Sequence, residues 1–531
     1  MLDLLLKNGL ICDGTAAPAF PGDIAVKDGK IVEAAPSVTG ESAEIVDVSG
    51  LVVAPAFIDM HSHSDSWFMA DGCCQAELCQ GVATEIVGQC GSSPFPRSVG
   101  QMTQLRKDIA AGKLSRMDAY QAGSFEKLQR LCKPEDRMST NLVQLVGHNS
   151  VRRGVVGPVR RAAWEDEIQI SRFLLEQNLD QGCWGLSLGL GYPPGLFAEQ
   201  HELEELAKVC RRYDAIVSVH MRDEGDKVFE SLEEMIDLGK ATGAHIHIAH
   251  LKLGARSVWG RAAELYERIC KARKEGVRLT ADLYPYAACS TGLSSRLPDW
   301  VLDGGIEHAC TLLEKKGLEH DAVLQFFREK YPHRADGDGF CIIGTGGACP
   351  EADGKTVGQL SEKWGLPVPE TMIQVLLKTR GKENCIFFNM AEQDVQWLLA
   401  QDLLAIGSAA CRSFDPAVSN GKPHPRTYGT FPRFLRLCRE QKLCSLETAI
   451  HRITLLPAEN VGLQDHGVLK PGMAADITVF DWKSITDTAT YDEPFQKPIG
   501  ICHVLIGGQF ALRDGEQTAA RLGNYLKKPL Y

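Results

Sequence analysis

The sequence predicts an α/β protein: a (β/α)8 TIM-type barrel with a small β-sandwich domain formed by both termini and an insertion after strand seven. Three observations predict it. Eight short apolar runs recur through the centre of the chain, most of them separated by helix-like segments. The two chain ends share a texture of short alternating strands and turns, and neither end alone could bury a sheet face. Histidines and one cysteine recur at the C-terminal ends of the central runs, where barrel active sites lie.

The β-sandwich is assigned to residues 1–55 and 456–531. In DIAVKDGKIVEA, Asp28-Gly29 sits between two apolar alternations, a two-residue hairpin signal. GVLKPGMAADITVFD and ICHVLIGGQFALRDGEQ repeat that texture near the other end. The barrel is assigned to 56–455, with strands in AFIDMHSH, TEIVGQCG, NLVQLVGH, WGLSLGLG, AIVSVHMR, HIHIAHLK, RLTADLYPY and LLAIGSA. EDEIQISRFLLEQ and LFAEQHELEELAKVCRRY read as crossover helices. About 287–395 is an excursion between strands seven and eight, structured because DAVLQFFREKY and TMIQVLLKTR are helix-like and FCIIGTGG and CIFFNM strand-like.

With 531 residues the chain exceeds what one core usually holds. Its formal net charge of −11 argues against nonspecific binding to nucleic acid. The start, MLDLLLKNGLICDG, lacks the basic and apolar regions of a secretory signal. No window approaches the roughly 18 unbroken apolar residues of a membrane span. Eighteen cysteines without regular spacing read as reduced thiols, mostly buried, and the expected location is cytoplasmic. Oligomeric state is not legible.

His61 and His63 end the first run, Cys90 the second, His148 the third, His220 the fifth and His250 the sixth. Residues two apart on a strand point the same way, so His61 and His63 can share one ion. Imidazole and thiolate both suit Zn²⁺. Strict alternation in HIHIAH puts His245 and His247 on one face and His250 on the other. His250 is chosen because it lies nearest the strand end, leaving His245 and His247 as structural. His148 is assigned a supporting or structural place.

These residues carry a resemblance. APAFIDMHSHSD resembles the PGFIDxHxH motif of the amidohydrolase superfamily, with Ala56 in place of the usual Gly. VGQCG, VGHNSVRRGVVG, GLSLGLGYPPG, HMRDEGD, HIAHLK, GKPHPRTYGTFPR and LKPGMAADITVFD together resemble the D-aminoacylase (N-acyl-D-amino-acid deacylase) family, in order, from about residue 3 to about 525. The resemblance implies a barrel beside a β-sandwich and zinc-dependent hydrolysis of linear N-acyl-D-amino acids. It implies a tightly held zinc on Cys90, His220 and His250, and a weaker second metal position on His61 and His63. It places a catalytic aspartate, the proton shuttle and third ligand of that second position, where this chain has Ala409. A methyl group can do neither job, so the second site should be impaired and turnover very slow. Asp415 is too far along the chain to replace it without a loop shift. Ala409 is read as a substitution made to trap an uncleaved ligand, since the remaining ligands are intact; a natural non-catalytic relative is the alternative.

For the substrate carboxylate the resemblance implies Lys252, Tyr284, Ser290 and Arg426, with Tyr192 as a weaker candidate near strand four. No extra basic cluster can be placed in the pocket from sequence, which favours a hydrophobic or broad side-chain preference. Preference for D over L rests on the resemblance alone. A cyclic-amide hydrolase of the hydantoinase or dihydroorotase type is the rival enzyme reading. It is disfavoured because such enzymes carry a strand-end lysine where this chain has Cys90.

Overall fold

The structure, a computed structural model, describes residues 1–66, 72–98, 100–103, 107, 122–131, 138–410, 413–414 and 421–529. Asp415 falls outside the described residues. Eight parallel strands form the barrel in chain order: Phe57–Asp59, Val82–Val87, Asn141–Gly147, Gly185–Gly189, Ile216–His220, His245–Ile248, Leu279–Leu283 and Leu404–Ile406. They coincide with the eight apolar runs. Beyond strands one and eight the barrel closes through Met60 N to Ile406 O at 3.2 Å and Ala409 N to His61 O at 2.7 Å. Val82–Val87 and Asn141–Gly147 are buried at every residue, as expected for strands covered on both faces.

The helices pack where apolar residues recur at helical spacing. Leu206, Leu232 and Leu265 of successive crossover helices join Val217, Val219, Ile246, Ile248 and Leu279 of the strands in one continuous core. Gly243, at φ 67°, ends the helix Val228–Thr242 in the left-handed conformation, and strand six starts two residues later.

Strands from both chain ends make one nine-stranded sheet. Its apolar cluster mixes Leu4, Ile24 and Val53 with Ile477, Val479 and Leu505, so each end supplies the other's cover. Asp28 and Gly29, at φ 49° and 73°, turn Phe20–Lys27 into Lys30–Ala35. Such a turn needs positive φ at both central residues, which selects the Asp-Gly pair. Between strands seven and eight lies a four-stranded sheet of Cys289–Thr291, Asn384–Phe387, Phe340–Gly344 and Lys355–Thr356, with helices that include Leu318–Lys330 and Val368–Thr379. Among the described residues no helix is long and apolar enough to cross a membrane.

Candidate active site

Four side chains from four strand ends meet at the C-terminal mouth of the barrel. Cys90 Sγ lies 3.2 Å from His250 Nε2, 3.4 Å from His61 Nε2 and 3.7 Å from His220 Nδ1. His220 Nδ1 and His250 Nε2 are 3.1 Å apart. Burial pushes His220 down to about 4 and His250 well below the ordinary histidine range, so both imidazoles are neutral at pH 7. Burial, reinforced by Glu224, pushes the Cys90 thiol up. Three imidazole nitrogens converging on one sulfur form a donor set that suits zinc. His63 is half-buried on the cavity wall, its ring centroid 5.2 Å from that of His61.

The backbone at this mouth leaves the strand conformation at three places. Cys90, His250 and Ala409 have φ of 52°, 38° and 48°. A non-glycine residue in this left-handed region costs roughly 1–2 kcal/mol, and such residues cluster at functional sites. The turn at His250 explains why alternation fails there: strand six ends at Ile248, and the reversed φ swings His250 toward Cys90. His247 stays on the strand: its Nε2–H donates to the Asp282 carboxylate at 2.8 Å, and its Nδ1 meets the Thr280 hydroxyl at 2.8 Å.

Two buried carboxylates that sequence reasoning missed brace these histidines. Asp282 Oδ1 accepts from His250 N at 2.9 Å, and its Oδ2 lies 2.8 Å from His247 Nε2 and 3.6 Å from His61 Nδ1. Glu224 Oε1 lies 3.0 Å from His250 Nδ1 and 2.7 Å from Lys252 Nζ, and its Oε2 lies 3.6 Å from His220 Nε2. A signal for Glu224 was present: it follows His220 by four in HMRDEGD. Asp282, inside a strand, carried no comparable signal. Asp59 ties strand one to strand eight by accepting from His61 N at 3.0 Å and Ser408 N at 2.9 Å. His148 pairs at 2.8 Å with Glu202, which also takes Arg152, so it is structural.

The mouth opens into a cavity of about 920 Å³. Lys252, Tyr284, Ser290, Arg426 and Tyr192 all line it, together with Ala409. Arg426 stacks over Tyr284, its Cζ 4.8 Å from the ring centroid, and Lys252 Nζ lies 6.0 Å from the same ring. The Tyr284 hydroxyl is buried without a hydrogen-bond partner among the described residues. The Tyr192 ring packs on His220, centroids 4.5 Å apart. Ala409 lies 3 % exposed in the wall, and its only side-chain atom is a methyl.

Further charged residues line the cavity, Asp65 and Arg296 among them. Asp65 lines it near His63, with its carboxyl pushed up to about 7 by burial. Arg296, from the segment after strand seven, stacks over Phe387 with Cζ 4.5 Å from the ring centroid. It has no carboxylate within ion-pair distance among the described residues, and its Nε is buried without a partner. Sequence reasoning placed no basic residue here beyond those assigned to the substrate carboxylate. TGLSSRLP has no periodicity that reveals which way Arg296 faces.

A parallel barrel with imidazole and thiol donors at its C-terminal mouth is the architecture of an amidohydrolase, and residues 389–511 match the family model described as Amidohydrolase family. The chain is 31% identical to an N-acyl-D-aspartate deacylase of Alcaligenes xylosoxydans xylosoxydans, over 98% of this chain and 93% of that protein. It is 30% identical to a D-aminoacylase of the same organism, over 99% of this chain and 98% of that protein. A crystal structure of N-acyl-D-glutamate deacylase from Bordetella bronchiseptica, complexed with zinc and a phosphonate inhibitor, superposes with a TM-score of 0.82 at 29% identity, covering 99% of each chain. The chain belongs to the D-aminoacylase (N-acyl-D-amino-acid deacylase) family of amidohydrolases.

Proposed function

We propose that this protein binds N-acyl-D-amino acids in a zinc-dependent deacylase site, whose reaction releases a carboxylate and a free D-amino acid, and that Ala409 leaves turnover very slow. The observation that carries the reading is the gathering of Cys90, His61, His220 and His250 within 3.7 Å of the sulfur, in one cavity with Lys252, Tyr284 and Arg426. Cys90, His220 and His250 would hold the tight zinc, and His61 with His63 a weaker second position that lacks the ligand Ala409 cannot supply. Bound zinc supplies a water nucleophile ionised near neutral pH and polarises the scissile carbonyl.

The chain's own residues do the rest. Arg426 and Lys252 present positive charge and the Tyr284 hydroxyl a free donor, the set a substrate α-carboxylate needs; Ser290 and Tyr192 border it. Asp282 holds His61 and His250 in place. An amide nitrogen leaves poorly unless protonated, and at residue 409 a side chain must move that proton. Losing such acid–base help costs about 10²–10⁴ in rate. The backbone supports an aspartate as the residue this position is shaped for: Ala409 holds φ 48°, a region where Asp and Asn are enriched and Ala is strained.

Arg296 supports an acidic side chain on the substrate, in place of the hydrophobic or broad preference expected from sequence. A guanidinium facing a cavity without a carboxylate partner is costly unless a ligand anion completes it. The D configuration is taken from the names of the relatives. Steady-state deacylation of N-acetyl-D-glutamate and N-acetyl-D-leucine by zinc-loaded protein tests the whole. The Ala409→Asp version should exceed the parent by at least about 100-fold; equal rates would remove residue 409 from the proton path.

A further inference from the structure

Glu224 is a single carboxylate in contact with two groups of different purpose. Its Oε1 is 3.0 Å from His250 Nδ1 and 2.7 Å from Lys252 Nζ, and its Oε2 is 3.6 Å from His220 Nε2. The histidine nitrogens it faces are the outer ones: His250 turns Nε2 and His220 turns Nδ1 toward Cys90. Lys252 Nζ also lies 2.7 Å from His250 Nδ1, where an ammonium can only donate, so while Lys252 sits there Nδ1 accepts from it and cannot present its own N–H to Glu224. We infer that Glu224 is a positioning residue that shares its charge between the metal-binding histidines and Lys252, so that a ligand carboxylate and zinc strengthen each other's binding. This rests on the assignment of His220 and His250 to the metal and of Lys252 to the substrate carboxylate.

A carboxylate that takes the N–H of the outer nitrogen fixes the tautomer and makes the inner nitrogen a better donor. While Lys252 occupies Glu224 Oε1, that effect on His250 is diluted. A ligand carboxylate that draws Lys252 away leaves Oε1 to His250 alone. Zinc binding, by engaging the histidines, in turn loosens Lys252 for the ligand. Equilibrium coupling of this kind is reciprocal.

The test uses the full chain as it stands, whose slow turnover permits equilibrium binding. Zinc affinity is measured by chelator competition with and without N-acetyl-D-glutamate, and ligand affinity by calorimetry on zinc-free protein. Glu224→Gln should weaken zinc about 10–100-fold while tightening the zinc-free protein's grip on the ligand, because Lys252 is released. Mere structural damage would lower both. The inference is overturned by unchanged zinc affinity or by a joint loss. If a thermal melt finds Glu224→Gln unfolded, Lys252→Met is the deciding variant: zinc should tighten about threefold or more, and the ligand should no longer affect it beyond the effect of its carboxamide analogue. Unchanged or weaker zinc there overturns the inference. A parent chain that takes up no zinc ends the site assignment and this inference together; zinc uptake indifferent to both variants ends this inference alone.

Discussion

The guanidinium of Arg426 donates a 2.6 Å hydrogen bond from Nη2 to the main-chain carbonyl of Ala409, joining the first residue of the helix Arg426–Gln441 to the turn after strand eight. The residue assigned to the substrate carboxylate therefore also holds the main chain at position 409, which in this chain carries only a methyl group. Arg426→Ala removes a charge-assisted contact worth about 1.5–3 kcal/mol, so the dissociation constant for an N-acyl-D-amino acid should rise about 10–100-fold. That for its carboxamide should change far less. Calorimetry with both ligands checks this, and an equal loss for both would take Arg426 out of carboxylate recognition.

Ala409 at φ 48° predicts an unusual stability effect. Ala409→Gly relieves left-handed strain and should leave the protein at least as stable as the parent, by up to about 1 kcal/mol. Thermal melts compare the two. A clear loss of stability in the glycine variant would show that no strain is held there.

Because burial and Glu224 keep the Cys90 thiol protonated at neutral pH, zinc uptake must expel its proton. Calorimetric titrations in buffers of different ionisation enthalpy should find about one proton released per zinc. Affinity should then rise close to tenfold per pH unit between pH 6 and 8. Cys90→Ser should abolish the proton release and lower zinc affinity severely. Zinc binding without proton release would exclude a thiolate ligand.

Arg296 should set side-chain preference. Arg296→Leu is expected to weaken N-acetyl-D-glutamate binding about 10-fold or more and to leave N-acetyl-D-leucine unchanged or improved. Parallel changes for the two ligands would place Arg296 outside the side-chain subsite.

A pH effect is expected far from the catalytic mouth. His466 Nδ1 lies 2.7 Å from Asp465 and its Nε2 3.3 Å from Asp476. Burial opposes its charge, but these two hydrogen bonds hold the imidazole up at about 9. A group whose pKa is higher in the folded state stabilises fully below the unfolded value and ceases to as pH rises past the folded one. Stability should thus fall between about pH 6.5 and 9, by about 3 kcal/mol at most. His466→Gln should flatten that slope in urea titrations; an unchanged slope would place the pH dependence elsewhere.

Much of the barrel was legible because its strands are buried on both faces and read as apolar runs wherever they occur. His61 and His63 are picked out by their place at the end of the first run, by strand period and by the motif they share with the amidohydrolases. His250 is chosen because it lies nearest the strand end, although alternation sets it on the face opposite His245 and His247, and the reversed φ at residue 250 is what breaks that register. Arg296 and Asp282 escaped for a related reason: one sits in an aperiodic segment, the other inside a strand, where an aspartate carries no mark of which face it takes.

By itself the sequence determined the barrel, a β domain built from both chain ends and the order of the candidate donor residues. Each of these is written in local pattern, in apolar period, turn chemistry or motif spacing. Only the tertiary structure decided that Glu224 serves both His250 and Lys252, that Asp282 stands behind His61, and that Arg296 faces the cavity with no carboxylate partner among the described residues. Those relations join residues up to about two hundred positions apart, and a charged side chain declares its partner only when the closing of the barrel brings the two within a few ångströms.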